Sequence, residues 1–126
     1  MPDKVIDASV AAAIAFAEPR ANEAGELIEG STLHAPSLLP YELCNAARRK
    51  SSRDPRQAKF IASGLRTALA ANVDLVAVPA AELLALALET GLTAYDASYL
   101  WVAKSLGCEL LTFDEQLARA ARAAQA

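Results

Sequence analysis

A parallel β-sheet covered by helices on both faces is the fold class that this sequence predicts, and three observations predict it. Short, mainly apolar runs rich in Val, Ile and Leu alternate with longer Ala-rich stretches of helical character. Helix and strand breakers fall at the junctions, at Pro19, Gly30, Pro36, Pro79, Gly91 and Gly107. No internal repeat and no long linker interrupts the alternation, so a single domain over residues 1–126 is expected.

The elements follow in order. Lys4-Val5-Ile6-Asp7 is a strand on the strength of its β-branched pair. Ala8 to Ala17 is helical by Ala content and stops before Pro19. A second helix runs from about Arg20 to Ile28, with Gly30 as terminator. Thr32 to Ala35 is a short strand closed by Pro36. Pro40, a favoured first-turn residue, opens a helix to about Lys50, and Ser51-Ser52 reads as a turn. Asp54 then caps a helix that has Pro55 at its first position and reaches about Ala71.

Val73 to Val78 is the clearest strand and ends at Pro79. Ala80 to Glu89 forms a helix that stops at Thr90-Gly91, and Tyr95 to Leu106 forms another that stops at Gly107. Glu109 to Phe113 is the fourth strand, and Asp114 to about Ala124 the last helix.

Composition narrows the function classes. The apolar fraction is 54%, but thirty residues are Ala, so bulky core side chains are fewer than that figure implies and helices pack closely. The mean hydropathy of +0.21 is high for a monomer and points to a subunit interface. A net charge of −3 argues against a non-specific nucleic-acid coat, which needs a basic surface. It leaves room for a nuclease, because four acids at a site would exceed the whole deficit. Cys44 and Cys108 match no zinc spacing and no disulfide framework, so both are expected as buried free thiols in a reducing cytoplasm. No signal peptide is visible, and no apolar stretch reaches the about 20 residues needed to span a membrane.

Four carboxylates concentrate the functional signal. Asp7 closes Val5-Ile6, Asp114 closes Leu110-Leu111-Thr112-Phe113, and Glu42 and Asp96 fall in the first turns of predicted helices. In a parallel α/β sheet such positions converge outside the carboxyl ends of the strands. Two unit charges about 4 Å apart repel by roughly 4 kcal/mol at an effective dielectric near 20. Crowded acids of this kind suit Mg²⁺ or Mn²⁺. Each acid also has a plain structural role: Asp7 and Asp114 as N-caps, Glu42 and Asp96 as partners of helix dipoles. Independent capping does not require all four to lie on one sheet edge. It also leaves Asp96 unexplained, since Thr93 can cap that helix.

Neighbouring groups support the site. Ser9 follows Asp7 within the same turn, and its hydroxyl is placed to orient a ligand water. Thr112 precedes Asp114 by two, which on a strand puts both on one face. Asn45 falls one helical turn after Glu42, to hold that carboxylate or touch substrate. Arg48, Arg49, Lys50, Arg53, Arg56 and Lys59 form a basic cluster, read either as a solvated helix end or as a phosphate-backbone contact surface beside the acids, with Arg48, Arg49 and Arg53 its candidate contacts. His34 is a packed or surface residue rather than a general base, and Cys44 has no evident partner for nucleophilic catalysis. Tyr99, Leu100 and Trp101 read as core or dimer contacts.

The blocks Val5-Ile6-Asp7-Ala8-Ser9, Pro40-Tyr41-Glu42-Leu43-Cys44-Asn45-Ala46, Leu92-Thr93-Ala94-Tyr95-Asp96-Ala97-Ser98-Tyr99-Leu100 and Leu111-Thr112-Phe113-Asp114 resemble the PIN-domain family, and within it the VapC ribonuclease toxins. The resemblance spans nearly the whole chain in order. It implies an α/β/α sandwich, dependence on Mg²⁺ or Mn²⁺, cleavage of RNA, a homodimer, and a VapB-like antitoxin whose C-terminal segment covers the groove. The family's acidic ligands fall on Asp7, Glu42, Asp96 and Asp114, and its hydroxyl and amide helpers on Ser9, Thr112 and Asn45. Family members often finish with a further strand. Here Arg119 to Ala126 continues as helix, so four strands are expected where the family pattern has room for five.

Rival readings fit less well. A receiver domain needs adjacent acids after its first strand, where Ala8 follows Asp7, and a Lys after a fifth strand. A phosphatase of the haloacid dehalogenase type needs a second Asp where Ser9 stands. A catalytically silent PIN-like module that binds only protein is the remaining alternative.

Overall fold

In the computed structural model, which describes residues 1–125, the expected alternation folds into a four-stranded parallel sheet flanked by seven helices. The strands are β1 (Asp3–Ile6), β2 (Thr32–Pro36), β3 (Val73–Val76) and β4 (Glu109–Leu111). The helices are α1 (Ala8–Ala15), α2 (Ala21–Ile28), α3 (Leu39–Arg53), α4 (Ala58–Ala70), α5 (Ala80–Thr90), α6 (Ala94–Leu106) and α7 (Glu115–Gln125). A short 3₁₀ turn, Pro55–Gln57, joins α3 to α4, and Asp54 accepts the Arg56 N–H there.

The sheet order is β3-β2-β1-β4. Register pairs Val5 with His34 and His34 with Asp74, while Lys4 pairs with Leu33 and Leu33 with Val73. Strand side chains alternate between faces. The Lys4, Ile6, Leu33 and Val73 face therefore meets α1 to α4, and the Val5 and His34 face lies beneath α6. Central β1 is sealed on both sides, with Val5 and Ile6 buried. Helix α6 is the most enclosed helix, burying Ala97 to Leu100 with Val102 and Ala103.

Several boundaries differ from the sequence expectation for identifiable reasons. Helix α1 ends at Ala15 because Ala17 adopts φ +50° and the Glu18 N–H bonds Ala13 O at 2.9 Å, a Schellman closure made without glycine. Ser51-Ser52 is not a turn: α3 runs through both serines to Arg53. Strand β3 stops at Val76 because its partner β2 stops at Pro36. Strand β4 stops at Leu111 because Thr112 and Phe113 bond side chains instead of continuing the ladder. Cys44 is exposed rather than buried, since the helical phase that buries Leu43 and Ala47 turns it outward. Cys108 is half-buried, and both thiols are free.

Among the described residues the sheet has four strands and the chain continues as helix to Gln125; Ala126 lies outside them. No described helix is long and apolar enough to cross a membrane.

Candidate active site

The chain runs outward from β1 through β2 to β3, then returns to place β4 on the other side of β1. The connectivity therefore reverses between β1 and β4, the switch point at which open α/β sheets bind ligands. Asp7 follows β1 and Asp114 follows β4. A broad cavity of about 750 Å³ opens there, and Asp7, Glu42, Asp96 and Asp114 all line it.

Asp7 is the anchored member, only 5% exposed. Its Oδ1 accepts hydrogen bonds from Ser9 Oγ at 2.6 Å and the Val10 N–H at 3.1 Å, and its Oδ2 accepts one from Thr112 Oγ at 2.5 Å. Burial raises the carboxyl pKa, and these hydrogen bonds only partly offset the rise. The same two hydroxyls fasten the end of β4, because Ser9 Oγ accepts from the Phe113 N–H and Thr112 Oγ from the Asp114 N–H, both at 2.9 Å. Thr112 thus acts from a turn, not from a strand face shared with Asp114. Ser9 binds the carboxylate itself rather than reaching past it.

The other acids are held differently. Asp114 Oδ1 caps α7 through the Leu117 N–H at 2.9 Å. Asp96 sits in the first turn of α6, where Thr93 supplies the cap as expected. Its pKa is raised first by desolvation and then by the charges of Asp114, Glu42 and Asp7. The charges of three acids therefore reach the fourth. Glu42 Oε1 accepts a hydrogen bond from Tyr99 OH at 2.5 Å. Structural capping and convergence on one cavity coexist.

The sequence matches the PIN domain family over residues 4–123. The chain belongs to the PIN-domain family. Ribonuclease VapC3 of Pyrobaculum aerophilum is 34% identical over 119 residues, covering 90% of this chain and 91% of that protein. Ribonuclease VapC9 of Mycobacterium tuberculosis is 33% identical over 113 residues, covering 90% and 87%. The crystal structure of PAE2754 from Pyrobaculum aerophilum aligns with a TM-score of 0.74 at 28% identity, covering 94% of this chain and 86% of that one.

Around the acids, this PIN domain carries a basic wall. Arg49, Lys50 and Arg53 line the cavity with Asn45. Because α3 continues through Ser51-Ser52, Arg53 lies one turn beyond Arg49 on the same side. Arg48, grouped with them from sequence, is not part of the lining; its Nε donates to Asn45 Oδ1 at 3.1 Å. That contact, rather than Glu42, engages the Asn45 amide. Lys50 pairs with Glu18, which also lines the cavity, and stands 5.8 Å from the Phe16 ring centroid. His34 is far from this chemistry, bonded instead to Asp3 and Asp74.

The donor set is all hard oxygen, which fits Mg²⁺ or Mn²⁺ in kind. The repulsion felt at Asp96 is what a divalent cation offsets. Even so, among the described residues no group of three or more His, Cys, Asp or Glu side chains is positioned to hold a metal ion. The acids share a cavity without closing around one point.

Sequence reasoning missed Tyr41, Tyr95 and Tyr99 as cavity residues. The signal was available: Tyr41-Glu42 and Tyr95-Asp96 each set a tyrosine directly before a candidate acid.

Proposed function

We propose that this PIN-domain protein is a metal-dependent endoribonuclease, folded as one domain over residues 1–126, and the toxin of a VapBC-type pair acting in the cytoplasm. The observation that carries the reading is the meeting of Asp7, Glu42, Asp96 and Asp114 in one cavity at the switch point, close enough for three of them to shift the fourth. The names of its relatives, VapC ribonucleases, point the same way.

Asp7 and Asp96 would be the principal ligands of Mg²⁺ or Mn²⁺, with Glu42 and Asp114 holding it directly or through water. The ion supplies Lewis acidity and a water acidified towards neutrality when bound. The chain's own residues do the rest. Ser9 and Thr112 fix the orientation of the Asp7 carboxylate, and Tyr99 fixes that of Glu42. Glu42 is the group best placed to accept a proton from the attacking water. Arg49, Lys50 and Arg53 contact the RNA backbone and offset charge that develops during in-line displacement. A VapB-like antitoxin and a second copy of the chain are the proposed partners.

Purified, antitoxin-free protein incubated with RNA in the presence and absence of Mg²⁺ tests the reading. Metal-dependent products from the wild type and none from Asp7→Asn are expected. No metal-dependent products across diverse RNAs would favour the silent protein-binding module.

A further inference from the structure

All three tyrosines of the chain line the acidic cavity. Tyr99 is 1% exposed and forms its floor beside Glu42. The other two are among the most exposed large hydrophobic side chains of the described residues, Tyr41 at 76% and Tyr95 at 62%. Core packing explains neither.

Their placement follows one pattern. Tyr41 directly precedes Glu42 near the start of α3, and Tyr95 directly precedes Asp96 near the start of α6. Successive helical residues point about 100° apart. Each acid is partly buried in the cavity while the ring beside it stands at the rim. Two separate helices thus present an aromatic face next to a carboxylate of the same site. Further along α3, Arg49 and Arg53 continue the same wall with positive charge.

We propose that Tyr41 and Tyr95 are stacking platforms that take unpaired bases of an RNA strand whose backbone runs along the Arg49 and Arg53 wall. The proposal rests on the ribonuclease reading above and names how that site grips its substrate. Exposed aromatic rings beside a basic groove are how proteins hold single strands, because every base offers a π-face whatever its identity. In a duplex those faces are already covered by neighbouring base pairs, so the bracket selects unpaired segments. Trp101 is no such platform: it lies in a separate cleft between α5 and α6 with Glu82 and Lys104.

The test measures binding of a labelled single-stranded oligoribonucleotide by fluorescence anisotropy. It uses the Asp7→Asn background with Mg²⁺ present, so that strands stay whole. Tyr41→Ala and Tyr95→Ala should each weaken binding on the order of tenfold. Tyr41→Phe and Tyr95→Phe, which keep the aromatic face, should stay within about twofold. With an oligonucleotide whose ribose units lack bases, the alanine variants should match their parent, because the stacking partner is gone. A matched duplex should bind more weakly than the single strand and show no dependence on either ring. Alanine variants that bind the intact strand as their parent does, including no measurable binding by any of them, overturn the proposal. An equal loss with Phe, or with the abasic strand, overturns it too. Wild-type cleavage that still needs Mg²⁺ and Asp7 would then leave the ribonuclease reading standing without the bracket; absence of that cleavage removes both.

Discussion

Tyr99 donates its hydroxyl to Glu42 Oε1 at 2.5 Å, joining residues 57 positions apart across the floor of the acidic cavity. The ring is buried in α6 and cannot turn away, so the bond fixes one carboxylate oxygen of α3. Burial, and next the Glu42 hydrogen bond, raise the phenol pKa, which keeps Tyr99 a donor at any working pH.

Tyr99→Phe removes that hydroxyl and leaves the ring packing intact. Turnover should fall about tenfold, with KM for RNA changing far less, and stability should drop by about 1–2 kcal/mol. Steady-state kinetics separates the two constants. An unchanged kcat would show that Glu42 needs no help from Tyr99.

Thr112 makes two bonds with one oxygen, donating to Asp7 Oδ2 and accepting from the Asp114 N–H. Thr112→Val keeps the shape and loses both bonds, leaving a buried carboxylate oxygen short of a donor. A loss of about 2 kcal/mol in denaturant unfolding is expected. On the proposed role of Asp7 as a metal ligand, Mn²⁺ affinity measured by calorimetry should fall at least about tenfold. Thr112→Ser should restore most of both.

Away from the site, His34 bridges two strands. Its Nδ1 lies 2.8 Å from Asp74 Oδ2 and its Nε2 2.9 Å from Asp3 Oδ1. A neutral imidazole has one N–H and cannot donate to both carboxylates, whereas imidazolium can. The hydrogen bond to Asp3, with that to Asp74, raises the His34 pKa above 6.5 against a smaller opposing effect of desolvation. A raised folded pKa contributes stability that is fully present below the unfolded value, near 6.5, and is lost as pH rises through the folded value. Urea midpoints should therefore decline above pH 6.5 more steeply in the wild type than in His34→Gln. Parallel profiles would refute the clasp.

Helices α1 and α4 approach through Gly64. A Cβ built there would lie 2.1 Å from the Ala15 carbonyl oxygen and 3.4 Å from Phe16 Cδ1. Backbone offers no room to yield, so Gly64→Ala should cost about 2 kcal/mol or more. Thermal unfolding checks this, and a variant as stable as the wild type would mean that the helices move apart freely.

The features legible in the chain are those written in adjacent residues. An apolar run followed by Asp marks both a strand end and a cap, which is why Asp7 and Asp114 are legible as sheet-edge residues. Glu42 and Asp96 are legible from Pro40, in the first turn of α3, and Thr93, the cap of α6. Ser51-Ser52 misled because poor helix formers look like a turn. Tertiary packing of Leu43 and Ala47 carries α3 past them, and Arg53 joins the cavity only for that reason.

Local order alone thus determined the alternation of strands and helices, the four acids and their family, because backbone preference and apolar periodicity act over a few residues. Tertiary structure decided which side chains meet. The Tyr99–Glu42 pair, the Asp3–His34–Asp74 clasp, the Gly64 crossing and the exposed rings at the cavity rim depend on contacts between distant segments. Such contacts form only once burial of the sheet has set strand order and helix phase, and no local pattern encodes that geometry.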